Sequence, residues 1–176
     1  MDERNWTDRP LQIGDEIRIG PVRVVHKSLG FAALLSGNLD AAVKALAPDA
    51  PMIGLNGEVG EQDFVLRIGR DRALLVSKDQ IVEETGWNCD GYAFSAADDC
   101  YCLLEISGDR DDYFLAQGTS CHLGNSSPSA AIMFAGVNSL LARKRAVRCL
   151  FVDRAHLTYV SSWLRGAASP DPPPLK

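Results

Sequence analysis

Short apolar runs separated by polar, glycine-containing breaks dominate this chain, and their lengths suit strands better than long helices. Phe31-Ala32-Ala33-Leu34-Leu35 is one such run, and Ser36-Gly37 ends it. Asn38 then stands as N-cap of a predicted helix over 39–47, whose alanines favour that state and which Pro48 stops. Two runs over 64–68 and 73–76 flank Gly69-Arg70-Asp71-Arg72 and predict a hairpin. Asp79 is placed to cap a short helix to Glu84, ended by Gly86, and Tyr92-Ala93-Phe94 predicts a further strand. The order is β-α-β-β-α-β.

A second unit follows with similar grammar. Residues 101–106 predict a strand, and Ser107 is the candidate N-cap of the next helix. Asp109, Asp111 and Asp112 fall in its expected first turn, where carboxylates favour the helix dipole. Tyr113, Phe114 and Leu115 give it apolar surface, and Gly118 is its expected stop. Three strand-like runs cover 130–134, 137–142 and 147–152. Asp153 caps a last helix on which Leu157, Val160 and Leu164 share one face, with Trp163 beside them and Gly166 at its end.

The resulting division is an N-terminal arm over 1–28, a first subdomain over 29–96, a second over 97–168, and a proline-rich tail over 169–176. The arm scatters Leu11, Ile13, Ile17, Ile19 and Val24 among charges, and predicts irregular chain with one or two short strands. The tail holds Pro170, Pro172, Pro173 and Pro174, and is expected to be disordered. The fold class is α+β: two small, mostly antiparallel sheets with helices packed on them.

Composition narrows the function classes. With 176 residues and 46% hydrophobic content, a compact chain buries roughly 70% of its unfolded surface and needs no disulfide or metal for stability. A net charge of −5 argues against a nucleic-acid binder. The small basic run Arg143, Lys144, Arg145 and Arg148 reads as a solvated hairpin tip, with an acidic-partner patch as the alternative. Five cysteines in a chain of this length read as reduced thiols. Met1-Asp2-Glu3-Arg4 shows no secretory leader, and no apolar run approaches the ~20 residues of a membrane helix. The expected location is cytoplasmic, which leaves the sequon at Asn125 without meaning.

Candidate chemistry is sparse. Cys100 and Cys102 are two apart on an expected strand and would face the same way, with Cys121 and His122 as candidate companions. Paired C-x2-C spacing is absent, however, and small buried thiols are the simpler reading. His26, His122 and His156 are isolated, and no nucleophile elbow occurs. Gly54, Gly57 and Gly60 are spaced by three without a phosphate-binding sequel, so they read as loop. Asp98-Asp99 reads as a turn, and Trp163 and Tyr159 as core or interface aromatics. No catalytic or metal-binding residue is assigned and no cofactor-binding residue is identified. Such a chain reads as a binding or assembly subunit rather than a self-sufficient enzyme.

Three segments together resemble a known family. Leu66-Arg67-Ile68-Gly69-Arg70-Asp71-Arg72-Ala73-Leu74-Leu75 is similar to a Leu-Arg-Leu-Gly-Pro-Asp-Glu-Trp-Leu-Leu stretch of the gamma subunit of heterotetrameric sarcosine oxidase, a relative of the folate-binding aminomethyltransferase domain. Leu104-Glu105-Ile106-Ser107-Gly108, followed by Phe114 to Leu123, is similar to that family's strand, helix start and glycine-cysteine stretch. Phe134-Ala135-Gly136-Val137 through Val152, Arg154 and Trp163-Leu164 look like its strand pair and terminal Trp-Leu helix. Arg70, Ala73 and His122 replace the usual Pro, Trp and Asp. The resemblance covers about residues 29 to 168 and implies an aminomethyltransferase-like fold. It implies a non-catalytic accessory subunit of a flavoenzyme complex that couples oxidative demethylation of sarcosine to tetrahydrofolate. Flavin and NAD would sit on large partner subunits, and tetrahydrofolate would be held by one of them. The alternatives are a stand-alone folate-binding one-carbon transfer protein and a self-associating scaffold.

Overall fold

A computed structural model of the chain describes residues 9–167. The expected tail at 169–176 and residues 1–8 lie outside the described residues.

Two six-stranded sheets account for most of the chain. The first is built from β3 (Phe31–Gly37), β4 (Met52–Ile53), β5 (Phe64–Arg67), β6 (Arg72–Ser77), β7 (Gly86–Trp87) and β8 (Tyr92–Ala96), in the order β4-β5-β6-β3-β8-β7. Only β4 runs parallel to its neighbour. The second is built from β1 (Glu16–Ile19), β2 (Val22–Lys27), β9 (Tyr101–Ser107), β10 (Ala131–Phe134), β11 (Val137–Lys144) and β12 (Val147–Asp153), in the order β1-β2-β9-β12-β11-β10. Every ladder in this second sheet is antiparallel. We call them the β3 sheet and the β9 sheet.

The continuous apolar runs have a simple cause. The sheets lie face to face, so central strands are buried on both sides and lose the apolar/polar alternation of a half-exposed strand. Along β3, Phe31, Ala33 and Leu35 enter the outer core beneath α1 (Leu39–Leu46), while Ala32 points into the core between the sheets. Along β9, Cys102, Leu104 and Ile106 face the helical side, and Leu103 faces the other sheet. Leu66, Leu74, Leu140 and Phe151 fill the space between the sheets. Each such fully buried side chain contributes roughly 1.5–3 kcal/mol over leaving it exposed. The outer face of the β9 sheet is closed by α2 (Asp111–Ala116) and α3 (Leu157–Gly166). The layers therefore run helix, sheet, sheet, helix.

The predicted α+β class, the strand at 31–35, the helix after Asn38 and the hairpin at 64–76 are all present, the strand running on to Gly37 and the hairpin to Ser77. Asn38 caps α1, its side-chain oxygen accepting the Ala41 N–H at 3.2 Å. Asp153 likewise accepts the Ala155 N–H at 2.8 Å, opening a one-turn 3-10 helix (Arg154–His156) that leads into α3.

One expectation is met in part and two fail, each for a nonlocal reason. The arm supplies the short strands expected of it, β1 and β2, but they belong to the β9 sheet, where β2 pairs with β9 from Arg23↔Ser107 to Lys27↔Leu103. No helix forms over 79–84. Asp63, from before β5, accepts the Lys78 N–H at 3.1 Å and the Ser77 hydroxyl at 2.9 Å, Ser77 Oγ accepts the Asp79 N–H at 3.2 Å, and irregular chain leads on to β7. Ser107 is not a cap, because its ladder partner Arg23 keeps it in β9. The helix begins only after Arg110, which adopts a left-handed φ of 66°. Asp109 thus lies before the first turn, which keeps Asp111 and Asp112.

Candidate functional site

The most site-like feature is the open mouth between the two sheets. Period-two alternation on β9 puts Glu105 on the same face as Leu103, facing the β3 sheet. The same alternation on β12 aims Cys149 and Phe151 inward. Phe64 on β5 and Val76 on β6 face them, with the Phe64 and Phe151 rings edge to face at 6.3 Å. Where the sheets diverge they leave a cavity of about 550 Å³. That falls in the size range of small-molecule sites.

The floor of this cavity is apolar and its rim is charged. Lys27 approaches Glu105 at 4.0 Å, and Lys144 pairs with Glu61 at 3.1 Å. Lys78 adds a third ammonium group to the lining. The hydrogen bond from Lys144 holds the Glu61 carboxyl below the usual glutamate range, helped by its charge and by Lys78 and Arg145. Burial, reinforced by Glu105, pushes the Cys149 thiol up to about 12. A thiol in that state is no nucleophile at neutral pH. The cavity can hold an amphipathic, anion-bearing ligand. Its thiol, Cys149, is not activated to attack one.

A second constellation joins the two units beside this mouth. The loop with Gly54, Gly57 and Gly60 lies as a strap across the β9 sheet. Leu55 N–H donates to Ser127 O at 2.9 Å, Val59 N–H to Arg143 O at 2.7 Å, and Arg143 N–H to Gly57 O at 3.0 Å. A Cβ on Gly54 would fall 2.0 Å from Ser127 O, so this close approach requires glycine. Arg148, only 14% exposed, bonds Asp112 at 2.6 Å, approaches Asp111 at 3.6 Å, and donates to Asn56 Oδ1 at 3.1 Å. Asn56 in turn donates to Leu123 O.

These contacts revise the reading of the basic run as a solvated tip. Arg145, at the turn with φ 54°, and Arg143 are both exposed and fit it. Arg143 pairs with Glu58 at 3.6 Å, and Arg148 is an internal tie.

The other sequence candidates scatter. Cys100 sits exposed in the turn before β9 and so does not share a face with Cys102, which is buried in the helix-side core. Cys121 packs beside that core, and His122 is exposed, its Nδ1 accepting the Gly124 N–H at 3.2 Å. Among the described residues no three His, Cys, Asp or Glu side chains gather in a way that could hold a metal ion. His26 is buried, with Nδ1 3.0 Å from Leu11 O, and His156 is exposed. Asp99 makes an exposed pair with Arg154 at 3.5 Å. Trp163 packs on Phe134 and Phe114 at 5.1 and 6.3 Å, and Tyr159 donates its hydroxyl to Ala135 O at 2.9 Å. Sequence reasoning missed Lys27, Glu61, Lys78 and Glu105. One signal was available: Glu105 interrupts an apolar strand at a buried-face position. No helix among the described residues is long and apolar enough to cross a membrane.

No protein-family model matches the sequence, and no curated protein matches it at the sequence level. A solved structure does match: a chain of the heterotetrameric sarcosine oxidase from Corynebacterium sp. U-96, in complex with pyrrole 2-carboxylate. The match covers 86% of this chain and 86% of that chain, with a TM-score of 0.60 and 16% sequence identity. At that identity the likeness is one of fold. It is the fold expected from the gamma-subunit resemblance of the three sequence segments.

Proposed function

We propose that this chain is a non-catalytic, gamma-like accessory subunit of a sarcosine-oxidase-like flavoenzyme complex. The observation that carries this reading is the fold likeness, over most of both chains, to a chain of a heterotetrameric oxidase. The chemistry of the inter-sheet mouth is consistent with it, since the cavity offers an inert thiol and rim carboxylates facing lysines. In this reading larger partner subunits carry flavin and NAD, oxidise a secondary N-methyl amine such as sarcosine, and pass its one-carbon unit to tetrahydrofolate. The complex works in the cytoplasm. This chain supplies packing surface. The test is native purification of the tagged chain from cells expressing the flavoprotein subunits encoded beside it. The expected result is a stoichiometric, flavin-coloured complex, and a chain that always elutes alone removes the reading.

The cavity favours a second reading, a stand-alone folate-binding one-carbon transfer protein. Tetrahydrofolate has a flat ring system and a carboxylate tail. The apolar floor around Phe64 and Phe151 fits the former, and Lys27, Lys78 and Lys144 fit the latter. When bound, the folate would supply a one-carbon acceptor. Titration of the purified chain should then show saturable binding that Lys144→Ala weakens, and no binding at millimolar ligand excludes it.

A further inference from the structure

The β7 end of the β3 sheet is built differently from the rest of the surface. β7 is only Gly86–Trp87, paired to β8 through Gly86↔Phe94 and Trp87↔Ala93, and no described strand pairs with its other side. Natural edge strands are commonly blunted by shortness, charge, proline or a covering loop, and β7 is short. Even so, this one presents Trp87 at 71% exposure, and Val82 stands 93% exposed in the irregular segment leading to it. Gly86 has a φ of 144° and open space where a Cβ would be. Glycine in a strand often marks a place where another backbone approaches.

The charge of this edge is one-sided. Residues 79–90 contain Asp79, Glu83, Glu84 and Asp90 and no lysine or arginine. Glu83, Glu84, Trp87 and Asn88 line a pocket of about 240 Å³ at the edge, with Phe94 at its base. The negative field reaches inward as well. The Tyr92 phenol is pushed up first by burial, then by Glu83 and Asp90.

We propose that this edge is a protein-docking site that takes an extended, lysine- or arginine-bearing segment of a larger partner subunit as an added strand. The partner backbone would pair with β7, its apolar side chains would cover Trp87 and Val82, and a cationic side chain would enter the glutamate-lined pocket. Strand addition of this kind draws affinity from main-chain hydrogen bonds and specificity from side-chain pockets. A second copy of this chain is the wrong occupant, because edge-to-edge pairing would set Glu83 and Glu84 against the same charges. The proposal rests on the accessory-subunit reading for the identity of the partner, and on the edge itself for the chemistry.

The test uses the full chain and a fluorescein-labelled, end-blocked peptide of alternating valine and lysine, with a valine–glutamate peptide as control. Anisotropy should show saturable binding of the lysine peptide alone, weakening as salt is added. The Glu83→Gln/Glu84→Gln double variant should weaken it roughly threefold to tenfold, and Trp87→Ala at least as much, with melting temperatures unchanged. No saturable binding, equal binding of the glutamate peptide, or indifference to these variants overturns the proposal. So does a dimer in sedimentation that Trp87→Ala abolishes. Native purification separates the two readings. If a Glu83→Gln/Glu84→Gln/Trp87→Ala triple variant still brings down the flavoprotein, the edge proposal falls and the subunit reading stands. If no flavoprotein is recovered while the peptide result holds, the subunit reading falls and the edge stands.

Discussion

The two sheets have the same number of strands but are finished to different degrees. The β9 sheet is closed over by α2 and α3, with Phe114, Phe134 and Trp163 interlocked beneath them. Its flanks are the β1–β2 hairpin and the four-residue β10. The β3 sheet has only the eight-residue α1, set over a core containing Ala33, Ala42, Ala47, Ala50 and Ala73. Its two end strands are two residues each, and one of them displays a tryptophan. One sheet is complete in itself. The other ends in two very short strands and a lightly covered outer face.

The largest expected effect lies in the closed sheet. Phe134 is fully buried, stacked edge-on to Trp163 and pressed against Gly118. Phe134→Ala should cost about 4 kcal/mol in urea unfolding. A loss under 1 kcal/mol would break the claim that this half is tightly closed.

Next comes the tie between the halves. Arg148→Ala should cost about 3 kcal/mol, because it strands the nearly buried Asp111 carboxylate. Asp111→Asn should cost much less. Burial already holds the Asp111 carboxyl above its ordinary range despite the pull of Arg148. Folding therefore takes up a proton there on acidification. Its contribution to stability is full below the unfolded pKa and lost as pH rises through the folded one. Glu16 and Glu61 run the other way, held low by hydrogen bonds from Arg23 and Lys144. Their stabilisation is full above the ordinary glutamate range and lost as pH falls through their folded pKa values. Carboxyl chemical shifts followed by NMR should show Asp111 titrating high and the two glutamates low.

A smaller effect sharpens the picture of the lightly covered sheet. Asn38→Ala removes the cap of its single helix and should cost about 1 kcal/mol. Smallest of all, Trp87→Ala should change stability by no more than about 0.5 kcal/mol, as a free surface position does. A substantial drop in melting temperature would mean that Trp87 closes the fold rather than awaiting a partner. Thiol labelling adds a check on the inter-sheet mouth. Exposed Cys89 and Cys100 should react quickly at mild alkaline pH, and buried Cys102 and Cys149 only at the rate of unfolding.

What the sequence made legible was local. Asn38 and Asp153 mark helix starts with side chains that do cap, and the 69–72 turn marks its hairpin. Doubly buried strands announce themselves as unbroken apolar runs. Three features misled because their outcome is settled elsewhere in the chain. Ser107 looks like a cap until Arg23 is known to pair with it. Asp79 looks like one, but the distant Asp63 holds Ser77 and Lys78, and the chain after them stays irregular. Ile17, Ile19 and Val24 look scattered because each is buried by a sheet whose central strand comes much later. The inter-sheet mouth was illegible for the same reason. Lys27, Glu61, Lys78, Glu105 and Lys144 come from five separate segments, and only the fold brings them to one rim.

The pairing of β2 with β9 also sets an order of events during synthesis. Val24 finds Ile106 only after the whole β3 sheet has been made, since that sheet is encoded between them. An isolated two-stranded hairpin is marginal in water. As the chain leaves the ribosome, β1 and β2 emerge well before β9 and cannot be consolidated until it follows. Such long-range closure folds slowly and exposes unpaired edges meanwhile. The β3 sheet can assemble early, from contiguous chain. The half that ends up most tightly closed is thus the half that closes last, and any early halt in translation would release an apolar hairpin with nothing to join.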